Sequence, residues 1–372
     1  MIINRFNFII IRFASTEAIN SKMRAWQIYN YGDIKDLRLT NSYRVPAITN
    51  TNHVLIKVDA ASVNPIDLSI ITGYGASIFK ILGKFYNVNE FPKTLGRDFC
   101  GTVMKTGRSV KYFKSGMEVI GALWPFQEGS HSDYVVCHQD QLAMKPQSLT
   151  CSDAAALPYA GLTAYTALVD FANLKAGTAL GKRVLILGGS GGVGTIALQL
   201  AKAWDAYVGV TCREDSEDLL MELGADAIHS DNLSSINETY DVILDTIGDD
   251  FERNAPFLKP GSSSRYVTIR QSVLKHSDQY SPCLGVPIAA MEITGKIIKN
   301  FIKSQGALYQ WGFFRASGNN LSVISNLVDR GLIVPVVHAQ FNFENAPEAF
   351  KCLQSGGIKG KVIIQMSPDI NT

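Results

Sequence analysis

The sequence predicts an α/β protein in two parts: a mostly β region, then a parallel sheet with helices on its faces. Up to about residue 157, short apolar runs such as HVLIKVDAASV and FCGTVMKTG alternate with Gly, Pro and Asn, which is typical of short strands. From Asp153 onward, helical and strand patterns alternate, as in βαβ units. The length of 372 residues also exceeds the ~150 expected of one domain.

Composition excludes several classes of protein. Hydrophobic residues make up 46% of the chain and charged residues 18%, which is too apolar for a disordered chain. Lys and Arg number 35 against 33 Asp and Glu, so no basic excess favours nucleic acid. The six cysteines include no C-x-x-C pair, which predicts unpaired intracellular thiols and neither a disulfide framework nor a zinc knuckle.

The first 22 residues have the composition of a mitochondrial transit peptide. Arg5 and Arg12 precede the first acid, Glu17, and a short Ala-Ser-Thr run follows the second arginine. The apolar run between Asn7 and Arg12 is too short for a secretory signal. We therefore expect residues 1–22 to direct the chain to mitochondria.

A glycine-rich turn predicts a dinucleotide site. The apolar run RVLIL leads directly into G-x-G-x-x-G, and a helical pattern follows directly. In such a turn the first glycine permits a sharp bend, the second lets the backbone approach a pyrophosphate, and the third lets the helix pack on the strand. The residues of the turn are Gly189, Ser190, Gly191, Gly192, Val193 and Gly194.

The next strand indicates which nicotinamide cofactor is bound. An Asp or Glu at its end would bind the 2′-hydroxyl of NADH. Here the strand ends Val210-Thr211-Cys212-Arg213, with an arginine that can pair with a 2′-phosphate. The sequence therefore predicts NADPH; a surface pair of Arg213 with Glu214 or Glu217 is the alternative.

The order of a β-rich region before a late glycine turn resembles the medium-chain dehydrogenase/reductase superfamily. The motifs VNPIDLSIITGYG, LGRDFCGTV, LPYAGLTAY, GGSGGVGTIALQLAK and GKVII are similar to its quinone oxidoreductase branch. Within that branch, YQWGFFRASG and the transit-like start are most similar to a mitochondrial group named for a reticulon partner. The resemblance implies a GroES-like catalytic domain at 23–160, a Rossmann domain at 161–310 and a return to the first domain at 311–368. It also implies NADPH-dependent reduction in mitochondria, a role in ubiquinone biosynthesis and a protein partner of the reticulon type.

The zinc-dependent members of that superfamily hold a metal that this sequence does not predict. At the first two ligand positions of those enzymes stand Asn64 and Arg97. An amide and a guanidinium leave too few ligands for a three-ligand site, and the guanidinium repels a cation. His131 and His138 have no ligand partners in the pattern. We therefore expect no metal.

Without a metal, protein groups must donate hydrogen bonds to the reduced acceptor. Tyr74 is the first candidate, because a phenol can donate a bond and then a proton; an exposed aromatic on a loop is the alternative. Asn64 is the second, since the resemblance places it beside the nicotinamide, whereas Asp67 is expected to serve a turn. The resemblance also assigns further cofactor contacts to Thr246, Gly248, Gly312, Phe314, Arg315 and Lys359.

The segment ITGKIIKNFIKSQG predicts an amphipathic helix with Lys296, Lys299 and Lys303 beside an apolar stripe. Such a helix either packs on the body with solvated lysines or lies on an anionic membrane, here the inner mitochondrial membrane. The sequence thus predicts a zinc-independent NADPH oxidoreductase acting on a small-molecule acceptor such as a quinone. An enoyl thioester reductase and a partner-binding protein that keeps NADPH as a structural ligand remain alternatives.

Overall fold

The computed structural model describes residues 21–366 except 86, 231–232, 234–235, 249–250, 271 and 304–305. The predicted transit peptide therefore lies almost entirely outside the described residues. The strands are β1 Lys22–Ile28, β2 Arg38–Arg44, β3 His53–Val63, β4 Lys93–Thr94, β5 Asp98–Thr106, β6 Glu118–Ala122, β7 Tyr134–His138, β8 Leu142–Met144, β9 Arg183–Leu187, β10 Tyr207–Cys212, β11 Ala227–Ser230, β12 Val242–Asp245, β13 Arg265–Thr268, β14 Leu308–Trp311, β15 Val337–Asn342 and β16 Lys361–Gln365. The α-helices are α1 Pro65–Ile71, α2 Ala76–Phe85, α3 Cys151–Ala154, α4 Pro158–Tyr165, α5 Gly192–Ala203, α6 Glu217–Glu222, α7 Phe251–Asn254, α8 Val273–Tyr280, α9 Pro282–Lys303, α10 Gly318–Asp329 and α11 Ala346–Ser355.

The second part of the chain forms a six-stranded sheet with the order β11-β10-β9-β12-β13-β14, and every pairing in it is parallel. This is the doubly wound order. Successive strands are added on one side from β9 to β11, and the direction of addition switches to the other side between β9 and β12. Ligands of such sheets bind outside the carboxyl ends of the strands at that reversal. The predicted Rossmann sheet is confirmed, and its crevice lies after β9 and β12.

The first part forms an antiparallel sheet that the end of the chain completes. β3 pairs with β5 and β7, and β16 pairs antiparallel with β3, so that Val362 lies opposite Val63. One face of these strands encloses a core of its own, and their other face shares a second core with the Rossmann sheet, in which Ala60 and Ile186 both lie. A third core, with Leu185 and Ile243, lies on the opposite face of the Rossmann sheet. The mostly β, GroES-like first region is confirmed, and it also contains the helices α1 and α2, which follow β3.

One pair of cysteines corrects the sequence analysis. Cys100 on β5 and Cys151 on α3 form a disulfide, with their Cα atoms 5.3 Å apart. The prediction that all six thiols are unpaired is therefore wrong for these two. Their separation of 51 residues carries no local pattern, and only the packing of α3 on β5 brings them together.

The helix α9 exposes apolar residues that a helix packed on the body of the protein would bury. Its buried residues include Gly285, Ala289 and Asn300, whereas Met291 is 75% exposed and Ile302 72% exposed. The apolar face therefore points to solvent. Among the described residues no single helix is long and apolar enough to cross a membrane; α1 and α2 pass such a test only as a pair bent by 97°.

Candidate active site

A cleft of about 1110 Å³ lies between the two sheets. One wall comes from the end of β3, α1 and α2; the other comes from the carboxyl ends of β9, β10, β12 and β13. The cleft thus contains the crevice that the strand order predicts. Of the residues predicted from the sequence, those that line it are Asn64, Tyr74, Ser190, Gly191, Gly192, Val193, Arg213, Thr246, Gly312 and Phe314.

The glycine turn has the geometry of an anion site. Gly191 is the N-cap of α5 with a φ of −73°, and a Cβ atom there would meet only the Gly188 carbonyl oxygen, 3.8 Å away. A Cβ atom at Gly194 would instead collide with the backbone of Gly188, and one at Gly189 would lie 2.9 Å from Val210 Cβ. Gly189 and Gly194 therefore serve packing, while Gly191 leaves open space before a helix N-terminus. The left-handed residue of the turn is Gly188, with a φ of +80°, one position before the glycine to which the sequence analysis assigned the sharp bend.

After the end of β10, the side chains of Arg213 and Lys359 both contact Asp215. Arg213 pairs with Asp215 at 3.4 Å, and both side chains are 55% exposed, so this pair is weak. A Cβ atom at Gly357 would lie 3.0 Å from Arg213 Nη2, which shows that the guanidinium lies against the loop before β16. From that loop Lys359 donates a hydrogen bond to the Asp215 carbonyl oxygen. Arg213 thus lies at one corner of the cleft, and Lys359 lies beside that corner without lining it.

The remaining predicted cofactor contacts separate into two groups. Thr246 lines the cleft and donates a hydrogen bond to the Leu187 carbonyl oxygen at 2.7 Å. Gly312 lines it too, and it packs so closely on Ala167 that a Cβ atom at Gly312 would lie 3.2 Å from the alanine methyl. Gly248 and Arg315 do not line the cleft, and Arg315 pairs at 3.1 Å with Asp170 at an exposed position.

Phe314 packs against Tyr159 in the wall of the cleft. The two rings stack with their centroids 4.2 Å apart, and Trp124 meets Phe314 edge-on at 5.5 Å. Phe314 is also 9% exposed, so it belongs to the core as well as to the lining. Aromatic walls of this kind suit planar or apolar groups.

Asn64 is held at both ends of its amide. Its Oδ1 accepts a hydrogen bond from Lys361 Nζ at 2.5 Å, and its Nδ2 donates to Asp98 Oδ1 at 3.1 Å. Ser62 donates to the same Asp98 oxygen at 2.6 Å. The amide therefore lines the cleft as part of a buried polar network that fixes its orientation.

Lys361 is a buried, cleft-lining side chain that the sequence analysis missed. It is 5% exposed, lines the cleft, and lies 3.8 Å from Asp98 Oδ2. A Cβ atom at Gly192 would lie 2.7 Å from Lys361 Cδ, so its stem passes beneath the glycine turn. Burial lowers the pKa of Lys361, and the Asp98 carboxylate opposes that shift. The signal was present: a lysine inside the apolar strand KVII requires a buried partner.

Tyr74 lies between α1 and α2, in the segment called here the donor loop, residues 72–75. Burial, and secondarily the charge of Asp278, raise the pKa of its phenol, while Arg270 lowers it. The Asp278 carboxylate on α8 accepts hydrogen bonds from Gly75 N at 2.6 Å and Ser77 N at 3.0 Å. The donor loop is thus fastened to the Rossmann side of the cleft, with a phenol that stays protonated at neutral pH.

The residues that stand where zinc-dependent members of the superfamily have metal ligands do not fit a cation. Arg97 is fully buried, lies 3.4 Å from Asp67 and donates to the carbonyl oxygens of Thr94, Trp124 and Gln127. Its guanidinium occupies the place of a ligand. Elsewhere in the described part of the chain, no three His, Cys, Asp or Glu residues come together as a metal site.

Two family models match the chain. The alcohol dehydrogenase GroES-like domain matches residues 50–165, and the zinc-binding dehydrogenase model matches residues 223–364. The crystal structure of the quinone oxidoreductase from Coxiella burnetii is 27% identical, with a TM-score of 0.73 over 93% of this chain and 100% of that one.

Curated relatives match over nearly the whole chain. The mitochondrial NAD(P)H oxidoreductase RTN4IP1 of Danio rerio is 39% identical over 96% of this chain and 95% of its own length. The mitochondrial reticulon-4-interacting protein 1 of Caenorhabditis elegans is 31% identical over 96% of this chain and 98% of its own. The 2-methylene-furan-3-one reductase of Solanum lycopersicum is 31% identical over 94% and 81%, respectively.

Proposed function

Since the chain belongs to the medium-chain dehydrogenase/reductase superfamily, in the family of mitochondrial NAD(P)H oxidoreductases, we propose that it reduces a quinone-like or enone acceptor with NADPH and without zinc. The observation that carries this proposal is one cleft lined by both an open glycine turn and the phenol of Tyr74. The Danio rerio relative is an NAD(P)H oxidoreductase by name, the Solanum lycopersicum relative is a 2-methylene-furan-3-one reductase, and the Coxiella burnetii structure is that of a quinone oxidoreductase. Oxidation of NADPH by the purified protein, measured with a panel of quinones, enones and enoyl thioesters, tests the proposal.

The chemistry needs one hydride and one proton. A bound nicotinamide supplies the hydride, which carries two electrons. The one proton comes from a donor that meets the developing negative charge on the acceptor oxygen, and Tyr74 is placed for this role. Asn64 and Lys361 hold one wall of the cleft in position, and their buried network keeps it from rearranging.

The preference for NADPH rests on the corner formed by Arg213 and Lys359. Both can bind a 2′-phosphate, and Cys212 ends the strand where an acid would bind a 2′-hydroxyl. Because Arg213 is exposed, solvent screens the gain.

We expect Arg213→Ala to raise the Kd for NADPH about tenfold, which corresponds to ~1.4 kcal/mol, and to change the Kd for NADH less than about twofold. Titration of cofactor fluorescence measures both constants. Arg315→Ala is the matched control, because it removes an equal charge outside the cleft. Equal weakening of the two cofactors by Arg213→Ala would show that the arginine does not read the 2′-phosphate.

Two alternatives use the same cleft. An enoyl thioester reductase would share the cofactor and the donor loop, and it is favoured if NADPH is oxidised with an enoyl thioester and not with a quinone. A partner-binding protein would be stabilised by NADPH without turnover, since ligand binding alone raises stability. The name of the Caenorhabditis elegans relative supports a reticulon-type partner, and that partner is part of this alternative.

The proposed place of action is the mitochondrial matrix. The Danio rerio and Caenorhabditis elegans relatives are mitochondrial by name, as the sequence predicts for this chain, and residues 1–22 would direct the import. The link to ubiquinone biosynthesis that the family resemblance implies is consistent with the apolar walls of the cleft.

The helix α9 supports peripheral contact with the inner membrane. Its exposed apolar face carries Met291 and Ile302, whereas two of its lysines are engaged: Lys296 pairs with Glu292 at 2.7 Å and Lys299 with Glu252 at 3.1 Å. The side chain of Lys303 lies outside the described residues. Apolar burial in the headgroup region is therefore expected to contribute more to binding than the lysines.

We expect the protein to float with liposomes that contain cardiolipin and the variant Met291→Asp/Ile302→Asp to remain in the soluble fraction. Changing the three lysines to Glu is also expected to abolish flotation, since repulsion from anionic lipid is added. Liposomes of phosphatidylcholine alone carry no net charge, so flotation with them measures the contribution of the apolar face without that of the lysines. Flotation that survives the aspartate substitutions would contradict a role for this face.

A further inference from the structure

The cleft is strongly one-sided in charge. Its charged lining residues are all basic, and no Asp or Glu lines it among the residues that the structure describes. Arg213 serves the proposed 2′-phosphate corner, and Lys361 is balanced by Asp98. The lining cations are Arg213, Arg253, Arg270, Lys275 and Lys361.

Two of these cations lie away from the proposed cofactor corner, beside the donor loop. Arg270 follows β13, and a Cβ atom at Gly248 would lie 2.7 Å from Arg270 Cδ, so its stem crosses the end of β12. From there its charge acts on the phenol of Tyr74. Lys275 lies on α8, one turn before the Asp278 carboxylate that holds Gly75 and Ser77. Both cations therefore face the region between the donor loop and the parallel sheet.

Within the part of the chain that the structure describes, neither cation has an ion-pair partner. The side chains of Arg270 and Lys275 form no salt bridge or hydrogen bond with another residue that the structure describes, and both residues are exposed. The diphosphate of a dinucleotide has its own site at the glycine turn, where the N-terminus of α5 supplies the positive end. Two free cations thus remain for the other ligand of the cleft.

The rest of the acceptor side is apolar. Ile66, Ile78, Phe79 and Leu82 line it from α1 and α2, and Leu274 lines it from α8 beside Lys275. A ligand that filled this region would contact hydrocarbon along its body and cations at one end. Cations at such a place bind carboxylates or phosphates, with arginine matching their oxygens in pairs.

We propose that the acceptor is an apolar molecule bearing an anionic group, which Arg270 and Lys275 bind while Tyr74 faces the reducible carbonyl. The inference rests on the proposed function and names the substrate class of the same site. A carboxylate on a quinone ring and the phosphates of a thioester carrier share the chemistry required. Both cations contact substrate in this arrangement and set specificity, and neither takes part in the hydride or proton transfer.

The test compares acceptors in matched pairs: a benzoquinone with and without a carboxylate, and an enoyl thioester of coenzyme A against its uncharged N-acetylcysteamine analogue. In Arg270→Gln/Lys275→Gln we expect the KM of the anionic member to rise about 10- to 100-fold, and that of the neutral member to change less than about threefold. Which pair responds identifies the carboxylate or the phosphate as the group bound. Lys84→Gln, on α2 outside the cleft lining, is the control for loss of a nearby charge.

A binding measurement keeps the outcomes apart. Trp124 and Trp311 line the cleft, so the reduced carboxylate product can be titrated by tryptophan quenching without turnover. We expect the double variant to lose this binding and to keep the wild-type Kd for NADPH. Equal effects on anionic and neutral acceptors, or a weakened NADPH complex, would overturn the inference. Absence of reduction for every acceptor by the unmodified protein would overturn the proposed function instead, while the quenching titration still decides the anion site.

Discussion

Gly191→Asp is expected to abolish binding of NADPH while leaving the apoprotein as stable as the unmodified chain. Gly191 has an ordinary negative φ, and a Cβ atom there would meet only one backbone oxygen at 3.8 Å, so the free protein accommodates a side chain. The aspartate would, however, place bulk and negative charge where a diphosphate meets the N-terminus of α5. Cofactor titration combined with thermal unfolding separates the two effects.

Gly194→Ala provides the contrasting variant. Its methyl group would collide with the Gly188 and Gly189 backbone, so the unfolding temperature should fall, unlike that of Gly191→Asp. Unchanged NADPH affinity in Gly191→Asp would mean that the dinucleotide does not bind at this turn.

Tyr74→Phe is expected to lower kcat about 10²- to 10³-fold, the usual loss when one donor to a developing oxyanion is removed. The variant retains the ring, so NADPH affinity and the contacts of Asp278 with Gly75 and Ser77 should persist. Because burial raises the pKa of the phenol, it stays protonated and able to donate throughout the neutral range. Steady-state rates with saturating cofactor and the best acceptor give the answer, and kcat should fall together with kcat/KM.

A packing role for Tyr74 predicts the opposite pattern. Tyr74→Phe would then be nearly normal and only Tyr74→Ala would be damaged. A fall in kcat of less than about threefold for Tyr74→Phe, under ~1 kcal/mol of transition-state effect, would remove the residue from the catalytic list.

The parts of the site that could be predicted from the sequence are those determined by residues that are neighbours along the chain. The glycine turn follows from three adjoining segments, and the strand–turn–helix order that surrounds it fixes its place in the sheet. Arg213 could be identified as a candidate cofactor contact for the same reason, because it directly follows β10 in the sequence. Composition and periodicity also identified the two sheets, since short antiparallel strands and buried parallel strands differ in pattern.

The missed parts depend on contacts between distant segments. The sequence analysis chose Lys359, whereas the lysine buried against Asn64 is Lys361, two positions further on. A left-handed residue, Gly360, separates the two, and Lys361 lines the cleft whereas Lys359 does not. The buried ion pair of Arg97 with Asp67 is equally invisible in a local pattern, as is the outward direction of the apolar face of α9.

The pairing of β16 with β3 has a consequence for how the protein is made. Asn64 and Lys361 meet although about 300 residues separate them, so the wall of the cleft is assembled from the two ends of the polypeptide. A growing chain cannot complete this sheet until β16 has emerged, in contrast to the usual order in which the N-terminal domain folds first during synthesis. Until then the edge of β3 that will receive β16 has no partner, and Asp98 lies in a sheet without its cation. Until residues 361–365 have been made, that edge therefore stays open to pairing with strands of other chains.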